Sequence, residues 1–88
     1  MVTIKKFGAE WCGPCRALKP VLEQLKTEYA GKATFIEYDV DDSPEEAVKY
    51  SVTSIPLVVV EKDGVVLERF QGLSSKMAYS NAINEAIK

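Results

Sequence analysis

The sequence predicts an α/β fold with the element order β-α-β-α-β-β-α, in which a four-stranded mixed sheet is flanked by three helices. Short runs of β-branched and aromatic residues alternate with segments of helical periodicity, which indicates strands separated by helices. A tight-turn dipeptide joins the last two of these runs and predicts a hairpin. With 88 residues, of which 47% are hydrophobic and 27% charged, the chain is expected to form a single domain, residues 1–88.

The first half of the chain contains two predicted strands on either side of a long helix. The strands are the β-rich runs VTIKKF, residues 2–7, and ATFIEYDV, residues 33–40. Between them, apolar residues recur at helical spacing from Cys12 or Gly13 to about Tyr29. Pro20 lies inside this helix and predicts a kink, because proline has no N–H to donate. Gly31 is the predicted C-cap.

Two further helices are predicted in the second half from their start signals. Ser43 is the predicted N-cap of the first, with Pro44 at the first helical position and Glu46 completing a capping box. Ser74 or Ser75 can cap the last helix. The apolar stripe of that helix consists of Tyr79, Ile83, Ala86 and Ile87.

The last two strands form the predicted hairpin. Residues 55–61, IPLVVVE, are a buried strand, and residues 65–70, VVLERF, return from the turn at Asp63-Gly64. Strands separated by helices are expected to pair in parallel through right-handed crossovers, while the hairpin adds an antiparallel edge.

The charge balance and the chain start restrict the partners and the compartment. The net charge is −2 with a pI near 5.1, and Lys and Arg are not clustered, so neither nucleic acid nor an anionic membrane is an expected partner. The first residues lack the apolar run of a signal peptide, and no stretch approaches the length of a membrane span. We therefore expect a cytoplasmic protein, in a compartment that keeps thiols reduced.

Both cysteines and the only tryptophan lie in GAEWCGPCRALKP, residues 8–20. A structural zinc site requires four ligands, usually Cys or His, and this chain has two Cys and no His. A structural disulfide between Cys12 and Cys15 would close a loop so short that it stabilises by only about 2 kcal/mol. A reducing compartment would also tend to open it.

The third interpretation, a reversible dithiol–disulfide pair, is favoured by the spacing. The unpaired N–H groups at a helix start stabilise a thiolate at Cys12. Cys15 lies one turn further along the same helix face, within reach of Cys12. Gly13 lets the backbone bend, and Pro14 suits the first helical turn. A C-x-x-C pair beside a β-α-β pattern is typical of redox proteins.

The segment WCGPC resembles the active-site motif of the thioredoxin family, and the resemblance extends over nearly the whole chain. The matching features, in family order and approximate spacing, are F-x-A-E-W-C-G-P-C, Pro20, KYSVTSIP, the turn KDG and the glycine of FQGL. This resemblance implies a thioredoxin-like fold. The chain resembles a minimal thioredoxin with a glutaredoxin-like four-strand core, because family members of ordinary length carry a further strand and helix before the first strand here.

Two consequences for the sheet follow from this short form. The strand at 33–40 becomes a sheet edge, which the charges of Glu37 and Asp39 would protect from association. Thr3 and Lys5, which share a face with Phe7, suggest that one face of the sheet is thinly covered.

The resemblance also implies a substrate-binding surface. Ile55-Pro56 matches the family's cis-proline, which abuts the cysteines, and the residue before that proline offers backbone hydrogen bonds to an extended substrate. Trp11 would shield the disulfide and contact substrate, and Gly72 would let a partner backbone approach. The structural alternatives are a proline that begins a strand, a core tryptophan and a glycine that ends a strand.

Several residues beside this surface differ from common family choices or carry exposed charge. The differing residues, which bear on substrate preference, are Ser54, Leu57, Gln71 and Leu73. Arg16 follows the active site on the helix and would add to thiolate stabilisation, although solvated helix charge is the more ordinary explanation for both Arg16 and Lys19.

The function implied is a thiol–disulfide oxidoreductase that reduces protein disulfides, acting as a monomer. Cys12 would attack the substrate disulfide, and Cys15 would then release the reduced substrate. A thioredoxin-reductase-type protein or another thiol donor would restore the dithiol, and no metal or organic cofactor is implied. The alternatives are a glutathione-dependent, glutaredoxin-like protein and a binding subunit whose redox chemistry is incidental.

One pair of charges departs from the family. Thioredoxins usually place a buried Asp six residues before the first active-site cysteine, with a Lys near it on the adjacent strand. Here these positions are Lys6 and Glu37, on two strands expected to be parallel neighbours. We expect a partly buried Lys6–Glu37 ion pair behind Cys15, in which the cation lowers the pKa of Cys15 and Glu37 takes its proton through water. The alternative is that both side chains reach solvent.

Overall fold

The computed structural model describes all residues from Met1 to Lys88. Its elements are β1 (Val2–Gly8), α1 (Gly13–Glu28), β2 (Ala33–Asp39), α2 (Pro44–Lys49), β3 (Leu57–Lys62), β4 (Val65–Gln71) and α3 (Lys76–Ile87). The predicted order β-α-β-α-β-β-α is therefore confirmed. The strand predicted at 55–61 begins two residues later, after the proline. None of the three helices is long and apolar enough to cross a membrane.

The four strands form one mixed sheet in the order β2-β1-β3-β4. β1 and β2 are parallel, with Val2 opposite Ala33 and Gly8 opposite Asp39. β2 is a sheet edge, as expected. β4 runs antiparallel to β3 as the hairpin predicts.

The direction of β3 differs from the expectation of parallel pairing after a helix, because β3 runs antiparallel to β1. A parallel crossover must return the chain along the length of a strand, which is about 23 Å for seven residues. The 16 residues of α1 span about 24 Å and accomplish this return. The six residues of α2 span only about 9 Å. The chain therefore enters β3 from the end of the sheet at which β2 finished.

The sheet separates two cores of unequal size. The larger core lies between the sheet, α1 and α3. It contains Val2, Ile4, Leu18, Leu22, Leu25, Tyr29, Val58, Val60, Tyr79, Ile83 and Ala86. The smaller core on the opposite face contains Phe7, Tyr50, Leu57 and Val59. α2 itself contributes no buried residue.

The helix termini confirm one predicted cap and contradict another. Ser75 is the N-cap of α3, and its hydroxyl accepts a hydrogen bond from the Ala78 N–H. Ser43 makes no side-chain bond, so the predicted capping box does not form. Its backbone (φ −127°, ψ 60°) is not in the extended conformation of the Ser75 cap, and one oxygen of Glu46 is buried without a partner.

The end of α1 also differs from its prediction. The C-cap is Tyr29, and Gly31 lies two residues further on, with a φ of +82° that favours glycine. α1 continues through Pro20 without interruption.

Candidate active site

Cys12 and Cys15 lie at the start of α1 and are joined by a disulfide. Cys12 is the N-cap, with an extended backbone (φ −90°, ψ 112°), and Pro14 occupies the first turn. The Cys15 backbone N–H donates to Cys12 Sγ at 3.2 Å. This sulfur therefore takes the place of the side-chain oxygen that usually satisfies a helix N-terminus.

The environment of the helix start favours negative charge on Cys12. The first turn of α1 contains no acidic residue, so the helix dipole and the N–H donated to Cys12 Sγ are not offset by a carboxylate within that turn. Cys12 is 6% exposed and Cys15 2%. Cys12 is thus the cysteine that makes the capping interaction, and it is slightly less buried than Cys15.

Gly8, the last residue of β1, is a site residue that sequence reasoning missed. A Cβ built on Gly8 would lie 3.2 Å from Cys15 Sγ and 3.4 Å from Lys6 Cε. These distances are tighter than ordinary van der Waals contact, so a side chain at this position would displace the inner cysteine. The available signal was a glycine ending a strand directly before the cysteine segment.

Trp11 is 67% exposed and is not a core residue. Its indole Nε1 donates to Asp41 Oδ2 at 2.9 Å. The Asp41 N–H in turn donates to Asp39 Oδ1 at 2.8 Å. Asp41 was not predicted as a site residue, because nothing in its local sequence indicates a contact with a residue 30 positions away.

The Ile55–Pro56 peptide bond is cis, as expected. Pro56 is fully buried, and Ile55 packs against the cluster formed by Ala9, Cys12 and Cys15. The backbone N–H and C=O of Ile55 form no hydrogen bond within the protein. They are therefore available to a second chain.

Gly72 lies beside this proline, and its N–H donates to the Pro56 carbonyl at 2.9 Å. A Cβ on Gly72 would meet no atom within 4 Å. The φ of +80° favours glycine here, and the space above it is open.

The expected pair between Lys6 and Glu37 is present behind Cys15. The two residues are opposite each other in the β1–β2 register, with Lys6 Nζ 3.5 Å from Glu37 Oε1. Lys6 Nζ also donates to the Cys15 carbonyl at 3.3 Å. The burial is one-sided, since the Lys6 side chain is 11% exposed, whereas the Glu37 side chain is 57% exposed. Both line an open groove of about 690 Å³ that reaches Cys15.

Arg16 and Lys19 are both exposed. Arg16 Nη1 donates to the carbonyl of Glu10 at 2.8 Å, so its hydrogen bond is made to the loop before the cysteines. Lys19 lines the same groove as Lys6 and forms no hydrogen bond or ion pair.

A buried polar cluster on the α2 face was not predicted. Lys5 Nζ donates to the Tyr50 hydroxyl at 2.6 Å, the Tyr50 hydroxyl donates to Glu61 Oε1, and Lys5 Nζ lies 3.4 Å from that carboxylate. The Lys5 and Glu61 side chains are only 12% and 10% exposed. This face, on which Lys5 suggested thin cover, is covered at Lys5 by the rings of Tyr38 and Tyr50.

The cluster shifts the titration of two of its members. Burial raises the pKa of Tyr50, and its hydrogen bond to Glu61 raises it further, against the opposing effect of Lys5. Burial lowers the pKa of Lys5, but its hydrogen bond to Tyr50 and the charge of Glu61 outweigh burial, so that the net pKa is raised.

A cysteine pair bonded across the first turn of a helix, beside a cis-proline loop, defines a dithiol–disulfide redox domain. No group of three or more Cys, Asp or Glu side chains is arranged to hold a metal ion. The thioredoxin family model matches residues 2–85, and the chain belongs to the thioredoxin family. It is a thiol–disulfide oxidoreductase that reduces protein disulfides through Cys12 and Cys15.

Relatives of known sequence and structure are similar over most of this chain. A thioredoxin of Staphylococcus aureus is 45% identical over 75 residues, which cover 85% of this chain and 72% of the relative. The oxidised mitochondrial thioredoxin 3 of Saccharomyces cerevisiae is 33% identical, with a TM-score of 0.85 over 96% of this chain and 77% of that one. A thioredoxin of Fasciola hepatica is 38% identical, with a TM-score of 0.87 over 97% and 80%.

Proposed function

We propose that Cys12 is the nucleophile and Cys15 the resolving cysteine of this oxidoreductase. The observation that carries the assignment is the position of Cys12 at the N-cap of α1, where its sulfur accepts the Cys15 N–H. Cys12 is also the less buried residue of the two. Gly13 and Pro14 form the first turn that brings Cys15 back to Cys12. A thiolate at the N-cap gains most from the helix dipole and is the better attacking group.

Two displacements complete one reaction cycle. The Cys12 thiolate attacks one sulfur of the substrate disulfide, so that a mixed disulfide forms, the substrate S–S bond breaks, and the other substrate sulfur leaves as a thiolate and takes a proton. The Cys15 thiolate then attacks Cys12 Sγ, the Cys12–Cys15 bond forms, the bond between Cys12 and the substrate breaks, and the second substrate sulfur leaves as a thiolate and takes a proton. Two electrons and two protons have passed from the domain to the substrate.

The substrate surface surrounds the cysteines on the side of the cis-proline. Trp11 offers an exposed ring, and Ile55 offers an unbonded N–H and C=O in front of Pro56. Gly72 leaves open space beside them. An extended substrate chain would pair with the backbone of Ile55 as an added strand does, while Ser54 borders its path.

The electron donor belongs to the same proposal. The donor is a thioredoxin-reductase-type protein or another thiol compound. Its thiols reduce the Cys12–Cys15 disulfide and are themselves oxidised to a disulfide. We place the protein in the cytoplasm, because a reductant of protein disulfides works where the thiol pool is kept reduced. We also propose that it acts as a monomer.

Trapping tests the assignment of the two cysteines. Cys12→Ser should abolish reduction of insulin by dithiothreitol above the uncatalysed rate. Cys15→Ser should retain the first displacement and accumulate a mixed disulfide at Cys12, visible by mass spectrometry and released by added thiol. A mixed disulfide at Cys15 in a Cys12→Ser variant that retains turnover would reverse the roles.

A further inference from the structure

The segment that precedes the cis-proline lacks main-chain hydrogen bonds of its own. Before it, the N–H groups of Ser51 and Val52 donate to carbonyls in α2. Residues 53–55 form no backbone–backbone bond, and main-chain pairing resumes only when Gly72 donates to Pro56. The backbone offered to substrate is therefore not held in place by secondary structure.

Side chains of β4 hold this segment instead. Gln71 Nε2 donates to both the carbonyl and the hydroxyl oxygen of Ser54, each at 2.8 Å. Because a carbonyl can only accept, the amide nitrogen and not the amide oxygen must face Ser54. Arg69 acts in the same way further upstream, where its Nη1 donates to the Tyr50 carbonyl at 2.7 Å.

We propose that Gln71 is a positioning residue that sets the substrate-binding backbone of Ile55 by fixing Ser54, the residue directly before it. The inference rests on the proposed role of Ile55 in substrate binding and adds to it a determinant of substrate affinity. Gln71 is adjacent to Gly72, where the substrate chain would pass. The Gln71 side chain therefore also borders the proposed substrate-binding surface.

A purely structural role for Gln71 is disfavoured by its environment. Gln71 and Ser54 are both exposed and belong to neither hydrophobic core. Exposed hydrogen bonds contribute little to folding, because water replaces them when they are lost. The same two bonds affect binding directly, since an unfixed Ser54–Ile55 backbone must be ordered each time a substrate docks.

The test compares substrates that do and do not use the Ile55 backbone. Gln71→Met removes the donor and Gln71→Glu replaces it with an acceptor of the same shape, while Ser54→Ala removes one of the two bonds. The matched control is Glu68→Gln, an exposed β4 position without a hydrogen bond or ion pair. Steady-state kinetics are measured with insulin and with a small aromatic disulfide, using dithiothreitol as reductant.

Both Gln71 variants should raise KM for insulin by about three- to tenfold, the equivalent of losing a neutral hydrogen bond, with kcat within twofold. Ser54→Ala should raise KM for insulin by less, and Glu68→Gln should leave it at the wild-type value. In the Gln71 variants, KM for the small disulfide should change less than KM for insulin. Urea unfolding midpoints of the Gln71 variants should stay near that of the wild type.

A Trp11→Ala variant separates the inference from the proposed function on which it rests. If Trp11→Ala raises KM for insulin and Gln71→Met does not, the positioning role is wrong and the substrate surface stands. If neither variant raises it, the proposed surface itself is wrong. A fall in kcat with both substrates in the Gln71 variants would also overturn the inference, since it would place the effect on the cysteine chemistry.

Discussion

Replacing Lys6 with methionine should slow the step performed by Cys15. The substitution keeps an unbranched apolar stem and removes the ammonium group that donates to the Cys15 carbonyl and faces Glu37. Because a nearby cation favours a thiolate, its loss should make Cys15 harder to deprotonate. The mixed disulfide at Cys12 should then persist longer at neutral pH.

The geometry gives the size of this effect. Cys15 Sγ and Lys6 Cε both lie within 3.4 Å of the position that a Gly8 Cβ would occupy. A unit charge acting over about 7 Å at an effective dielectric constant of about 20 contributes about 2 kcal/mol. Because the Glu37 carboxylate is present in both proteins, it does not reduce the loss. Lys6→Met should therefore cost the Cys15 thiolate about 2 kcal/mol, or roughly a thirtyfold fall in rate.

Glu37 itself should lose little when Lys6 is removed. More than half of the Glu37 side chain is exposed, so water replaces the ammonium group and the carboxylate is not left as an uncompensated buried charge. The free energy of unfolding should fall by about 1 kcal/mol, chiefly from the lost hydrogen bond to Cys15.

Single-turnover decay of a preformed mixed disulfide, followed across pH, measures the effect. The Lys6→Met profile should move to higher pH. Glu37→Gln should move it to lower pH, because the Lys6 charge then acts without its counter-ion. Lys19→Met, which removes an unpaired lysine from the same groove, serves as the control.

Unchanged decay kinetics across pH in Lys6→Met, together with unchanged stability, would refute this reasoning and leave the pair without a role in the reaction. A shift in the same direction for Lys6→Met and Glu37→Gln would refute the electrostatic explanation alone, since opposite charges must act with opposite sign.

Two further predictions concern stability. Gly8→Ala should lower the free energy of unfolding of the oxidised protein by about 1–2 kcal/mol through overpacking against Cys15, and a wild-type urea midpoint would show that the neighbours yield freely. The raised pKa values of Tyr50 and Lys5 stabilise the fold below the unfolded values near pH 10, and this stabilisation is lost as pH rises through the folded values. Tyr50→Phe should therefore flatten the alkaline decline in stability measured by urea unfolding, and an equally steep decline would contradict the role of the cluster.

The element order could be predicted because its signals are local. The β-rich runs, the helical spacing in α1 and the turn at Asp63-Gly64 each lie within one element. The direction of β3 could not be read from those signals, since it depends on α2 ending at Lys49, too early to return the chain along the sheet. The capping box at Ser43 failed for a related reason, because the bond depends on the backbone angles there and the motif does not fix them.

The site residues that could be predicted are those indicated by their spacing in the sequence or by the resemblance to the family. Cys12 and Cys15 follow from their separation of three residues, and the Ile55–Pro56 geometry followed only from the family pattern. The contact between Trp11 and Asp41 joins residues 30 positions apart and has no local signal.

The Lys5–Tyr50–Glu61 cluster illustrates the same limit more strongly. It joins β1, the end of α2 and β3, so no single element of the sequence contains its pattern. Thr3 and Lys5 suggested a thinly covered face, because lysine is rarely buried unless it has a partner and the partners of Lys5 lie far away in the sequence.

The lack of buried residues in α2 has a consequence for how the molecule opens. Local opening costs free energy in proportion to the apolar contacts that are lost, and α1 contributes four buried residues where α2 contributes none. Amide hydrogens of α2 and of the loop that follows it should therefore exchange with solvent in fluctuations that leave α1 intact. The reactive sulfurs are carried by a helix that stays closed in these fluctuations, while in the loop that follows α2 the side-chain bonds from Gln71 to Ser54 hold the backbone of Ile55 in place.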